Sequence, residues 1–202
     1  MGLNLTGGSG VEFEICPEGT YIGRVFQIID LGTVKKTFGT NPPKDTHEIR
    51  IGFEVLDDSA VQKDGKPFRV GSTFTASLNE KANLRKAIEA IRGKKFTDEE
   101  LKGFMIGRLM NVYCQLTIVH GESNGNTYAN ISSYSPLHKS MVKPDPINEN
   151  ILFDLDSDDY MDDYGKVGKY YQERIAQSNE WKMAGKKTPA KEEKNEFEDD
   201  LI

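Results

Sequence analysis

The chain has 202 residues, of which 37% are hydrophobic, enough for one ordinary domain plus segments that lie outside its core. Its net charge of −6 is unevenly spread: residues 1–143 carry 18 Lys and Arg against 16 Asp and Glu, whereas residues 144–202 carry 8 against 16. No apolar run approaches the roughly 20 residues of a membrane helix, "MGLNLTGGSG" lacks the regions of a signal peptide, and two cysteines with three scattered histidines give no zinc-site spacing.

Along the chain, "GTYIGRVFQIIDLG" (19–32) is rich in β-branched and aromatic residues between glycines and predicts a long first strand. "FGTNPPKD" (38–45) is a loop, because Pro42 and Pro43 cannot donate to a ladder. "THEIRIGFEVLDD" (46–58) alternates strictly, with Ile49, Ile51, Phe53 and Val55 on one face and Glu48, Arg50, Gly52 and Glu54 on the other. A third strand (68–78) follows the turn at Asp64-Gly65.

The period then becomes helical. Ser77 and Glu80 stand at capping-box spacing, Leu84, Ile88 and Ile91 share a face, and Gly93 is a stop. Thr97 with Glu100 opens a second, short helix through about Leu101. Two further strands (110–120 and 127–135) form a hairpin about Asn124-Gly125. Cys114 falls on the apolar side of that hairpin, and a core thiol fits a reducing cytoplasm. Three strands, a helix and two strands is the order of the OB-fold, a five-stranded Greek-key barrel with its helix between strands three and four. An SH3-like barrel or a split sandwich accommodates the same pattern.

These signals divide the chain into an N-terminal segment (1–16), the barrel (17–140), an acidic extension (141–184) and a tail (185–202). The extension is rich in Asp and Pro and shows few packing side chains. One helix is expected over 166–183, with Tyr170, Ile175 and Trp181 near one face. The tail, low in hydrophobicity, is expected to be disordered.

Little points to catalysis. "RGKKFT" (92–97) lacks the first glycine and the spacing of a phosphate loop. "DLDSDDYMDDYG" (154–165) has Asp159 where a calcium loop needs its turn glycine, and Gly165 where it needs the bidentate glutamate. A nuclease-type metal cluster on the 154–163 carboxylates and a protein-only adaptor remain as rival readings; no cofactor is expected.

The strand faces offer more. In the last hairpin Tyr113 and Tyr128 share a face with neutral hydrogen-bonding groups. The first strand adds Arg24 and Phe26, the second Arg50, and the intervening loop Lys35, Lys36, Phe38 and Lys44. Aromatic platforms interleaved with cations suit single-stranded nucleic acid, because every base has a face to stack upon and cations track the phosphates. A mildly basic body carrying an acidic tail is also a mark of nucleic-acid binders with interaction tails.

The blocks "GTYIGRVFQIIDLGT", "ASLNEKANLRKAIEAIRGKKFTDEELKGF" and "TYANISSYSPL" resemble, in order, a family of bacteriophage and prophage single-stranded-DNA-binding proteins built on an OB-fold, over roughly residues 17–140. The ending "EDDLI" resembles the acidic tail of bacterial single-stranded-DNA-binding proteins, with Leu201 and Ile202 in place of the usual proline and phenylalanine. The resemblance implies a non-enzymatic protein of the infected host's cytoplasm that coats single-stranded DNA during replication or recombination. Its tail residues Phe197, Glu198, Asp199, Asp200, Leu201 and Ile202 would recruit replication or recombination proteins.

Overall fold

The computed structural model describes residues 14–37, 39–123 and 125–184. Its strands are β1 (Gly19–Lys36), β2 (Lys44–Val55), β3 (Arg69–Thr75), β4 (Tyr113–Ser123), β5 (Asn126–Pro136) and β6 (Ile151–Phe153). Its helices are α1 (Asn83–Arg92), α2 (Asp98–Lys102), α3 (Tyr160–Tyr164), α4 (Lys169–Ile175) and α5 (Asn179–Ala184). The protein is mostly antiparallel β-sheet with a few short helices, in the strand order β3-β2-β1-β4-β5.

A closed five-stranded barrel is not what forms among the described residues. The sheet stays open and takes a sixth strand, β6, parallel to β1 at Gln27–Ile29. β3 and β5 are not paired in the sheet; the Tyr134 hydroxyl of β5 donates to Ser72 Oγ of β3 at 2.8 Å, and its ring lies 5.7 Å from that of Phe53 in β2. A bulge opposite Thr117 shifts the phase of β5, so Tyr134 turns inward beside Ala129 and Ile131 rather than outward.

The alternation in β2 sets the first core. Ile51, Phe53 and Val55 are buried with Val25, Ile28, Leu116 and Ile118 under the Leu84, Ile88 and Ile91 face of α1. α1 ends at Gly93, whose φ of 65° is a left-handed conformation that glycine adopts without a Cβ penalty. Its start differs from expectation. Ser77 Oγ accepts from the Asn79 amide at 3.3 Å, a local turn, and the helix begins at Asn83 after Ala82, with no capping box. The Thr97–Glu100 box does form, with both reciprocal hydrogen bonds.

The region after Pro136 departs most from expectation. The helix expected over 166–183 is two helices, α4 and α5, preceded by the one-turn α3. Together with β6 they bury a second apolar cluster, in which Phe153, Val167 and Ile175 pack on Ile29 and Leu31 of β1, with Tyr164 and Trp181 stacked 4.5 Å apart at its margin. The break between α4 and α5 has a reason. Gly32, at a β1 bulge with φ of 69°, presents bare backbone, and Ser178 sits against it where a Cβ would come within 2.5 Å. Glu180 of α5 then accepts from the Thr33 amide at 2.7 Å and the Thr33 hydroxyl at 2.6 Å.

Candidate nucleic-acid interface

Glu48, Arg50, Gly52 and Glu54 of β2 point away from the first core, as their alternation requires, and residues 144–184 cross that face. This decides which sequence-predicted residues remain available. Arg24 is not among them. It is 1% exposed and ion-paired with Glu54, and its remaining donors reach Asn111 Oδ1 at 2.5 Å, Asn150 Oδ1 at 2.8 Å and the Asn148 carbonyl at 2.5 Å. Asn111 holds a φ of 63°, a left-handed conformation that asparagine tolerates better than most residues. A guanidinium buried this deeply, with each of its nitrogens hydrogen-bonded inside the protein, is out of reach of a phosphate.

Phe26 is buried at the first β1 bulge and offers no face for stacking. Tyr113 is half-buried; its hydroxyl donates to the Pro144 carbonyl at 2.8 Å, and Lys143 Nζ lies 5.5 Å from its ring centre. Both residues were expected at the interface and serve packing instead. Lys36 faces Lys44 across the β1–β2 ladder, but its Nζ is held by Glu48 Oε1 at 2.6 Å. Lys35 and Lys44 are exposed. Phe38 and the tail residues Phe197, Glu198, Asp199, Asp200, Leu201 and Ile202 lie outside the described residues.

What remains converges on β3. An open groove of about 720 Å³ runs between the start of β3 and the tip of the β4–β5 hairpin, lined by Arg50, Arg69, Gly71, Thr127 and Tyr128, with Glu14 at one side. Tyr128 is 48% exposed, and Arg69 is exposed with no carboxylate partner among the described residues. Gly71 leaves room for Arg50, whose Nη2 stands 2.8 Å from where a Cβ would be. The Arg50 guanidinium lies over the Tyr171 ring, 4.6 Å from its centre. Burial pulls its pKa below the ordinary arginine value, an effect that the neighbouring Tyr171 opposes.

The sequence reading missed Arg69, because β3 was read only as a strand, and missed the role of α4 altogether. Tyr170, Arg174, Lys35 and Lys36 line a further cavity of about 440 Å³ on the same side, beside Glu48. A sequence signal for α4 existed in "KYYQER", cations and tyrosines interleaved much as in the strands, but it lay in a stretch dominated by aspartates. Among the described residues no group of three or more His, Cys, Asp or Glu is placed to hold a metal ion. No helix there is long and apolar enough to cross a membrane. Neither protein-family models nor curated proteins give a match to this chain.

Proposed function

We propose that this is a non-enzymatic single-stranded-DNA-binding protein of the OB-fold kind, related to the phage family that its three sequence blocks resemble. The observation that carries the reading is the open groove at β3, where two arginines without carboxylate partners among the described residues stand beside an exposed tyrosine. The strand order with a helix between β3 and β4 supports it as well. OB-folds are partly open Greek-key barrels that bind oligonucleotides over strands two and three, flanked by the loops between strands one and two and between four and five. In this chain those positions correspond to Arg50 and Arg69, to the loop ahead of Lys44, and to the hairpin tip beside Tyr128. Stacking on tyrosine and contact with phosphates discriminate little between bases, so binding is expected to be tolerant of sequence and sensitive to salt. The acidic C-terminal tail would recruit replication or recombination proteins.

A gel-shift with short DNA and RNA oligonucleotides, with and without magnesium, tests the reading. Retardation of single strands without cleavage is expected, and Tyr128→Ala should weaken binding by about 1–3 kcal/mol while leaving thermal stability unchanged. Magnesium-dependent degradation would favour a nuclease, and no shift under any condition would favour a protein-only adaptor.

A further inference from the structure

The C-terminal helical segment does more than cover the sheet. Where α4 meets β2 and β3, a cavity of about 240 Å³ is lined by Phe26, Gln27, Arg50, Arg69, Lys166 and Tyr171, among others, and no carboxylate lines it. Arg50 is the unusual member. Its Nε is enclosed without a hydrogen-bond partner. Both carboxylates on its face of β2 are already used: Glu48 gives Oε1 to Lys36 and Oε2 to Arg174, each at 2.6 Å, and Glu54 is paired with Arg24. A desolvated guanidinium without an anion is costly to keep, and a planar fork of N–H donors matches phosphate oxygens well. Tyr171 holds the guanidinium plane from below, and Gly71 keeps the space beside it clear. Lys166 adds a third cation at the rim; its pairing with Asp163 at 2.8 Å is exposed to solvent and easily exchanged.

We propose that Arg50, Arg69 and Lys166, on the Tyr171 floor, form a phosphate subsite that the C-terminal helical segment closes on one side. The inference rests on the single-strand-binding reading for the identity of the phosphate, which would belong to the backbone of the bound strand. The cavity size favours a phosphate group with some water over a whole nucleotide, since pockets for drug-sized ligands begin at about 300 Å³. The segment that covers the sheet would then be part of the binding surface rather than an obstacle to it.

The test uses the full chain, a dye-labelled oligothymidine followed by anisotropy, and inorganic phosphate followed by the NMR signal of the Arg50 side-chain Nε–H. Arg50→Met should weaken oligothymidine binding about tenfold, the loss of charge-assisted hydrogen bonds, with a melting temperature equal to or above that of the parent. Lys166→Gln, at an exposed position that does not threaten folding, should weaken binding about threefold and flatten the dependence of log affinity on log salt by about 0.7. Phosphate should move the Arg50 signal in the parent protein. If the parent binds oligothymidine, both variants match it and phosphate leaves Arg50 unmoved, the subsite is refuted while the function stands. Movement of the Arg50 signal by phosphate in a protein that fails to bind oligothymidine keeps the subsite and removes the single-strand reading. Silence in both assays removes both. Weakening by Arg50→Met alone, with Lys166→Gln and phosphate silent, would also overturn the subsite.

Discussion

The two faces of β1 and β2 carry the same strand pattern and meet different fates. On one face, Ile28, Ile51 and Phe53 bury against α1 and the hairpin, a core of aliphatic and aromatic groups without directional demands. On the other, Arg24, Glu54, Glu48 and Arg50 meet a segment from more than 90 residues further on and are matched to it group by group. The apolar face needs only suitable volume. The charged face needs each donor answered, and what is answered structurally is withdrawn from ligand binding. Arg24 and Arg50 therefore stand on one sheet face in opposite states: every nitrogen of the first is hydrogen-bonded, and the Nε of the second is not.

The sharpest way to break this comparison is at Arg24. Removing one member of a buried ion pair leaves an uncompensated charge, so Arg24→Ala should cost about 3–5 kcal/mol in urea unfolding. The loss would fall on Glu54, which also accepts from the Asn148 amide at 2.7 Å and from its side chain at 2.6 Å. Nucleic-acid affinity per folded molecule should not change. A variant of parental stability that binds nucleic acid more weakly would return Arg24 to the interface.

How much was legible follows from the same contrast. The strands, the α1 face of Leu84, Ile88 and Ile91, the Gly93 stop and the Thr97–Glu100 box were readable because each is a local signal of a few residues. The second core was not. Its members Phe153, Val167 and Ile175 lie among aspartates, lysines and prolines, and three helices of five to seven residues are too short to establish a period. At the candidate interface, alternation places Arg24, Phe26 and Tyr113 on strands whose outer faces are usually open to solvent. A segment beginning at Pro144 covers Arg24 and Tyr113, and no pattern within β1 or β4 announces its arrival. Alternation in β2 places Arg50 on the outer face, but the feature that sets it apart, an Nε without a hydrogen-bond partner, exists only once α4 is in place.

A second, somewhat smaller effect asks whether the two cores are one cooperative unit. Ile175 is 0% exposed and joins α4 to Ile29 and Leu31. Ile175→Ala should cost about 2–5 kcal/mol, the range for large-to-small changes in a core. If β1 couples the cores, the loss should appear in one unfolding transition seen by every probe. Amide exchange that accelerates only in residues 151–184, with the first core still protected, would show that the helical segment detaches by itself. The cleft against Arg50 should open with it, and affinity for oligothymidine should fall in parallel.

The smallest expected effect concerns how α5 is fastened near the β1–β2 loop. His47 Nε2 lies 2.6 Å from Asp30 Oδ1, and its Nδ1 stands 4.0 Å from Glu180 Oε1. The hydrogen bond to Asp30 raises the His47 pKa; burial opposes the shift, and the charges of Asp30, Glu180 and Asp156 reinforce it. Burial alone would raise the Glu180 carboxyl, but the Thr33 hydroxyl and amide outweigh it and hold that group below the usual carboxylate range. A histidine pKa raised on folding means that the folded state binds the proton more tightly than the unfolded chain does. Its contribution is therefore complete below the ordinary value near 6.5 and is lost as pH rises through the raised value. Because the His47 side chain is 38% exposed, solvent screening should keep the effect below about 1 kcal/mol. The melting temperatures of the parent and of His47→Gln should differ most near pH 6 and converge by about pH 9. A difference that stays constant across that range would mean that the ring is held as a neutral hydrogen-bond partner, with Glu180 fastening α5 through Thr33 alone.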